Sequence, residues 1–336
     1  MRWLITGGCG FIGRNLVRVL LQRTNDPIRV LDDLSVGKRE ELASIGPLVE
    51  RRAADLNWGA CGRLELVVAD IRDAASIKAA TVGSEAIVHL AANTGVGPST
   101  EDPSGDCVTN VFGTLNCLEA CRANGVRRFV FASSGAPLGD CEPPLHEELP
   151  AHPASPYGAS KLAGEAYCSA YKLSFGVDTI ALRFGNCYGP LSSHKSSVVA
   201  KFIRQAFADE DWFIYGDGRQ TRDFIYVDDV VDAIIRAATT SGNGGELFQI
   251  ANNTETTILD LADKLGRALE AHGIKPPTLH HEAPRIGDVK RNYSDTRKAR
   301  LRLGWRAQVS LDEGLERVVE WFCKAASLPE RIPTLR

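Results

Sequence analysis

No block of lysines and arginines and no basic stripe occurs in this sequence, whose 39 basic and 42 acidic residues give a formal net charge of −3. Nucleic acid is therefore not an expected partner, and any anionic ligand has to be held by a few placed arginines. No apolar run approaches the roughly 20 residues of a membrane span, so no membrane partner is expected. Met1 to Ile5 runs straight into an apolar strand and leaves no room for a signal peptide; the expected location is cytoplasmic. The nine cysteines are odd in number and include no CxxC pair, the pattern of reduced packing residues. Cys117 and Cys121 lie one helical turn apart without an accompanying histidine, and His280 and His281 would point to opposite faces of a strand, so no metal is expected. Internal repeats, coiled-coil heptads and low-complexity tracts are missing too. What remains is a 336-residue chain, 44% hydrophobic and 24% charged, long enough for a sizeable core.

What is present begins at once. Trp3-Leu4-Ile5 has strand character, and Ile12, Leu16, Val19 and Leu20 fall on one side of a helix after it. Between them lies Thr6-Gly7-Gly8-Cys9-Gly10-Phe11-Ile12-Gly13. Gly7, Gly10 and Gly13 allow a tight turn, a close backbone approach to an anion and close packing of helix on strand. A pyrophosphate there would meet unpaired N–H groups and the positive end of the helix dipole. A second strand, 28–31, ends in Asp32, about 20 residues beyond the glycines, where a carboxylate would accept the adenosine ribose hydroxyls. That acid would repel a 2′-phosphate, which favours NAD over NADP; Arg29 and Lys38 are the nearby charges bearing on the choice. Asp33 and Ser35 open a polar turn beside the same pocket.

Further strands at 64–68, 86–90, 128–131 and 177–183 alternate with helices, whereas the charge-rich stretch up to Gly62 reads as irregular. This repetition predicts an α/β fold, a doubly wound parallel sheet with right-handed crossovers, whose ligands bind at the carboxyl ends of the strands. Asp70 and Ile71 end one strand and could edge an adenine ring. Leu90, Ala91 and Ala92 end another, and the two small alanines would let the backbone approach the cofactor. Asn110 lies in a predicted helix over 103–124, with a backbone-binding role and a cofactor-side role both open.

Ser133 and Ser134 close the 128–131 strand segment. Tyr157 and Lys161 sit one turn apart at the start of a helix over 157–173 and share a face. A tyrosine titrates near pH 10, so a base at neutral pH needs a fall of roughly three units, or about 4 kcal/mol. The Lys161 charge and an oxidised nicotinamide would each favour the phenolate, and Ser134 could bind the same substrate oxygen. Such a set can deprotonate an alcohol while its hydride leaves to the cofactor.

Taken in order, the glycine turn, Leu31-Asp32-Asp33-Leu34-Ser35, His89-Leu90-Ala91-Ala92, Asn110-Val111-Phe112-Gly113-Thr114, Tyr157 to Lys161, Arg183 to Pro190 and Tyr226-Val227-Asp228-Asp229-Val230 resemble the extended short-chain dehydrogenase/reductases, specifically the NAD-dependent nucleotide-sugar epimerase/dehydratase family. The resemblance implies a Rossmann-like domain over 1–175, to which strand 177–183 and helix 228–240 return, and a smaller nucleotide-sugar lobe mainly over 184–336. It implies a homodimer built on two long helices of each subunit. It also implies catalytic roles for Ser134, Tyr157 and Lys161, with Ser133, Asn186, Val199, Arg222, Arg285 and Asp288 on the substrate side, the two arginines at a diphosphate.

The chemistry within that family turns on the two residues after Ser134. Sugar 4,6-dehydratases generally carry an Asp-Glu pair there and uronate decarboxylases a glutamate; this sequence has Gly135-Ala136. The expected reaction is therefore 4-epimerisation of a UDP-hexose or UDP-hexuronate (glucose, glucuronate or an N-acetyl relative). A dehydratase with an acid from elsewhere, a net NAD-dependent oxidoreductase and a non-catalytic NAD sensor are the alternatives. The hydroxyl-rich 192–197 segment is either a solvated loop or a receiver for a carboxylate or acetamido group.

Overall fold

The computed structural model describes residues 1–56, 58, 62–284 and 289–326. β1 (Trp3–Thr6) is buried along its whole length, as a central parallel strand must be when helices cover both faces. The glycine turn leads into α1 (Phe11–Arg23), which buries Leu16, Val17, Val19 and Leu20, and β2 (Ile28–Asp32) returns beside β1. The stretch expected to be irregular instead holds α2 (Arg39–Ala43) and β3 (Leu48–Arg51), a strand paired in parallel with β4 (Leu64–Val68). β3 lies at the sheet edge, where the exposed Arg39–Glu50 ion pair of 2.6 Å suits a half-solvated strand and hides its alternation.

α3 (Ala74–Thr81), β5 (Ala86–His89), α4 (Val96–Glu101) and α5 (Pro103–Cys107) come next. The helix predicted over 103–124 is interrupted: a π-helical turn over Val108–Phe112 separates α5 from α6 (Gly113–Ala123). β6 (Arg128–Ser134) runs further than expected, to the second serine. After it stands α7 (Pro156–Phe175), which starts where Ser155 Oγ accepts the Gly158 N–H at 3.1 Å and stops at Gly176 in the left-handed conformation. β7 (Thr179–Phe184) completes this half.

Beyond it come β8 (Asn186–Tyr188), α8 (Val198–Phe207), β9 (Trp212–Tyr215), β10 (Thr221–Arg222) and β11 (Phe224–Tyr226). α9 (Val227–Thr239) packs back on α1, and β12 (Glu246–Ile250) joins the main sheet beside β7. β13 (Thr256–Thr257), α10 (Ile258–Ala271), β14 (Leu279–Glu282), α11 (Arg297–Leu303) and α12 (Leu311–Ala326) end the described chain. The sheet has eight parallel strands in the order β12-β7-β6-β5-β1-β2-β4-β3. Its order reverses at β1, between β2 and β5, which is the point where open α/β sheets form a ligand crevice. A second core gathers around stacked Phe202 and Trp212 with Leu261, Leu265, Leu315 and Val318. Asp223 ties the two together: its carboxylate accepts the N–H groups of Asn252 at 2.8 Å and Ser294 at 3.1 Å. Among the described residues no helix is long and apolar enough to cross a membrane, and no cluster of ligating side chains could hold a metal.

Under the sheet, Arg29 is fully buried and paired with Glu65 at 3.0 Å, with the Trp58 ring 3.9 Å from its guanidinium carbon. Removing one member leaves the other charged and desolvated. Glu65→Ala is expected to destabilise the protein by about 3–5 kcal/mol, read by urea unfolding, and Arg29→Met in that background to recover most of it.

Candidate active site

The glycine turn packs as closely as the sequence suggested. Gly7 has φ +69°, and a Cβ there would lie 2.6 Å from Ala91 N; one on Gly13 would lie 2.5 Å from Gly8 Cα. α1 then opens at Gly10 with no side-chain cap and no acid in its first turn, so its N–H groups and dipole face the cleft unopposed. Asp32 anchors the far side of the turn, accepting the Cys9 and Leu34 N–H groups, each at 2.9 Å, while burial pushes its carboxyl up. Asp33 Oδ1 accepts from the Ser35 hydroxyl at 2.6 Å. Arg29, committed to Glu65 beneath the sheet, does not bear on the ribose end.

These groups line a cavity of about 1370 Å³ that runs from Asp32 and Asp70, past the turn, to Ser134 and Tyr157, and on to Asn186 and Arg222. Every cofactor-side residue named from the sequence borders it except Asn110. That side chain is buried: its oxygen accepts the Asn93 N–H at 2.8 Å, and its nitrogen donates to Asn93 O at 2.9 Å and Asp106 Oδ1 at 2.8 Å. Asn110 therefore shapes the wall through Asn93 and does not itself face the cavity. It lies in the π turn over Val108–Phe112.

Ser134, Tyr157 and Lys161 converge. Burial, with Asp106 adding to it and the neighbouring Ser134 hydroxyl opposing it, raises Tyr157 above its ordinary pKa in the protein alone. Lys161 is not among the groups that shift Tyr157, so the depression expected from it is not seen in the protein alone. Lys161 is 4% exposed and donates to Ala132 O at 2.9 Å; burial lowers it to about 8 against the pull of Asp106 and Glu165. His89 bridges Thr6 and Thr114 at 2.7 and 3.0 Å and is held neutral, its pKa lowered by burial to about 3. Ser133, expected on the substrate side, borders the cavity, but its hydroxyl donates to Glu165, which also holds Arg183 bidentately at 2.8 and 2.7 Å. Adjacent residues of a strand face opposite sides of the sheet, so only one of the two serines can meet Tyr157.

Asn186 and Arg222 border the substrate end with the buried Val199, and Arg222 Nη1 donates to Thr221 O and Val289 O, both at 2.7 Å. Arg285 and Asp288 lie outside the described residues. Arg14, which the sequence did not point to, borders the cavity, as do Asn93 and Lys195 from segments that it did. Arg14 pairs with Glu41 at 3.0 Å and donates to Leu191 O at 2.8 Å, while Asn15 Nδ2 donates to Pro190 O at 3.0 Å. Lys195 Nζ is 4.6 Å from the centre of the Phe11 ring. A basic residue so near the start of a helix, where the dipole disfavours it, was the signal available for Arg14.

The chain matches the model of the NAD dependent epimerase/dehydratase family over residues 3–251. It is 39% identical over 327 residues to a UDP-glucose 4-epimerase of Mycolicibacterium smegmatis, covering 96% of this chain and 98% of that one. A UDP-glucose 4-epimerase of Thermotoga maritima, solved with UDP-glucose, superposes with a TM-score of 0.85 at 34% identity, covering 97% of this chain and 100% of that one. A dTDP-glucose 4,6-dehydratase of Streptomyces venezuelae, solved with NAD, gives 0.85 at 32% identity over 98% of this chain and 99% of its own. The Rossmann-like sheet, the glycine turn and the end-to-end similarity agree: the chain belongs to the NAD-dependent epimerase/dehydratase family.

Proposed function

We propose that the protein is a nucleotide-sugar 4-epimerase acting on a UDP-hexose or UDP-hexuronate, with NAD held by the glycine turn, Asp32, Asp33 and the ends of β4 and β5. The observation that carries this reading is the wall around Ser134. Among the described residues the acids bordering the cavity are Asp32, Asp33, Glu41 and Asp70, all at the turn or the adenosine end. Around Ser134 and Tyr157 stand Gly135, Ala136, Asn186, Gln249 and Asn292, none of which can protonate a leaving C6 hydroxyl.

When bound, NAD supplies a reversible hydride acceptor, so the sugar passes through a 4-keto form with no net redox change. Tyr157 takes the proton of the C4 hydroxyl and later returns it. Ser134 donates to the same oxygen and fixes its direction. Lys161 supplies a buried positive charge that favours the phenolate. Asn186 and Arg222 hold the diphosphate side, where a guanidinium fork suits phosphate oxygens, with Arg285 and Asp288 as further substrate contacts. The exposed Phe112 and Phe175, 58% and 53% accessible near the ends of the α5–α6 and α7 helices, fit the covered face of a homodimer, which sedimentation would check.

Incubation with UDP-glucose, UDP-glucuronate and UDP-N-acetylglucosamine, and then separation of 4-epimers, tests the reading. The expected product is a 4-epimer without free NADH, and turnover seen only with loss of water or carbon dioxide would overturn it.

A further inference from the structure

One buried acid beside this site has no part in the chemistry above. Asp106, on α5, is 3% exposed, and α5 packs against α7. Its Oδ1 accepts from Asn110 Nδ2 at 2.8 Å, and the same nitrogen reaches Ser160 Oγ, next to Lys161, at 3.2 Å. Its Oδ2 is buried without a hydrogen-bond partner among the described residues. A carboxylate oxygen so placed is costly unless a cation or an ordered water meets it.

The charges facing Lys161 can be counted element by element. Glu165 and Cys168 lie on its own helix, Asp106 faces it from α5, His89 from β5 is neutral, and the Phe131 ring of β6 is 5.0 Å away. Tyr157, one turn back on the same helix, has its ring centre 5.9 Å from Nζ. Cys168 is held as a thiol by burial. Glu165 is taken by Arg183, which closes on it with two hydrogen bonds. Asp106 is therefore the carboxylate with no arginine or lysine of its own, and Lys161 Nζ has donors to spare beyond its bond to Ala132 O.

We propose that Asp106 is a positioning residue for the reaction, its open carboxylate oxygen holding Lys161 in the protonated state through one water. This rests on the catalytic reading of Tyr157 and Lys161. The same anion opposes ionisation of Tyr157. Removing it lowers both groups together, so a kcat–pH bell moves bodily to lower pH instead of only losing height.

The test compares kcat for UDP-glucose between pH 6 and 10 in the parent, Asp106→Asn and Asp106→Glu, with melting curves of each purified protein over the same range. For Asp106→Asn the bell is expected about half a pH unit or more lower, with kcat at pH 9 down about threefold or more and KM unchanged; Asp106→Glu restores its position. In the melts, the gain in stability as Lys161 loses its proton begins at lower pH in Asp106→Asn. If UDP-glucose is not turned over, the melts decide. An Asp106→Asn bell, or in that case a melting profile, that stays in place overturns the proposal, as does loss of cooperative melting in both variants. Failure of the underlying reading looks different: Lys161→Met would then turn over as fast as the parent.

Discussion

Tyr157→Phe is expected to lose about 1,000-fold in kcat while keeping its NAD and its KM. The change removes one hydroxyl, the group beside Ser134, and leaves the ring at the start of α7. In the protein alone burial keeps Tyr157 a phenol, and on the proposed mechanism it becomes the base once an oxidised nicotinamide adds its charge. A defect confined to kcat places the missing interaction in the transition state; one confined to KM would remove Tyr157 from the chemistry. NAD content of the purified variant, measured by release at acid pH, separates either outcome from loss of cofactor.

Lys161→Met is the second large effect, and it has opposite signs in two measurements. Activity should fall at least about 100-fold, because the phenolate loses its fixed cation. Stability should not fall. The folded protein holds Lys161 near 8, below the 10.5 of the unfolded chain. Between those values the unfolded chain keeps a proton that the folded chain has released, so stability rises with pH across the window. Below it the parent carries the full cost of the buried charge, about 3 kcal/mol, which an apolar methionine of similar length avoids. Melting at pH 7 should show the variant at or above the parent. A marked drop would mean that the bond to Ala132 O holds β6 and α7 together more than the buried charge strains them.

The parts of this molecule that were legible in the sequence are those where one residue has one job. Gly7 and Gly13 could be read because no other residue fits their contacts, and Tyr157 and Lys161 because a helix places them on one face. Asn110 was harder. Its residue type suits both a backbone contact and a ligand contact, and only its bonds to Asn93 and Asp106 decide between them. β3 was missed since an edge strand carrying Glu50 and Arg51 has no buried face to mark its alternation. Ser133 and Ser134 are alike as residues, and their separation depends on where the strand runs out, two residues beyond any apolar signal. Arg14 acts on Leu191, 177 residues away, and sequence spacing carries no such information.

The bonds from Arg14 and Asn15 to the carbonyls of Leu191 and Pro190 have an evolutionary consequence. They fasten the 190–197 loop, which borders the cavity, to the helix that begins at the glycine turn, so the two cannot drift independently. A relative that lengthens or shortens the 190–197 segment to admit a different sugar would have to replace these two anchors on α1 in the same step. Changes of specificity should therefore come more readily as side-chain swaps within a loop of fixed length than as insertions.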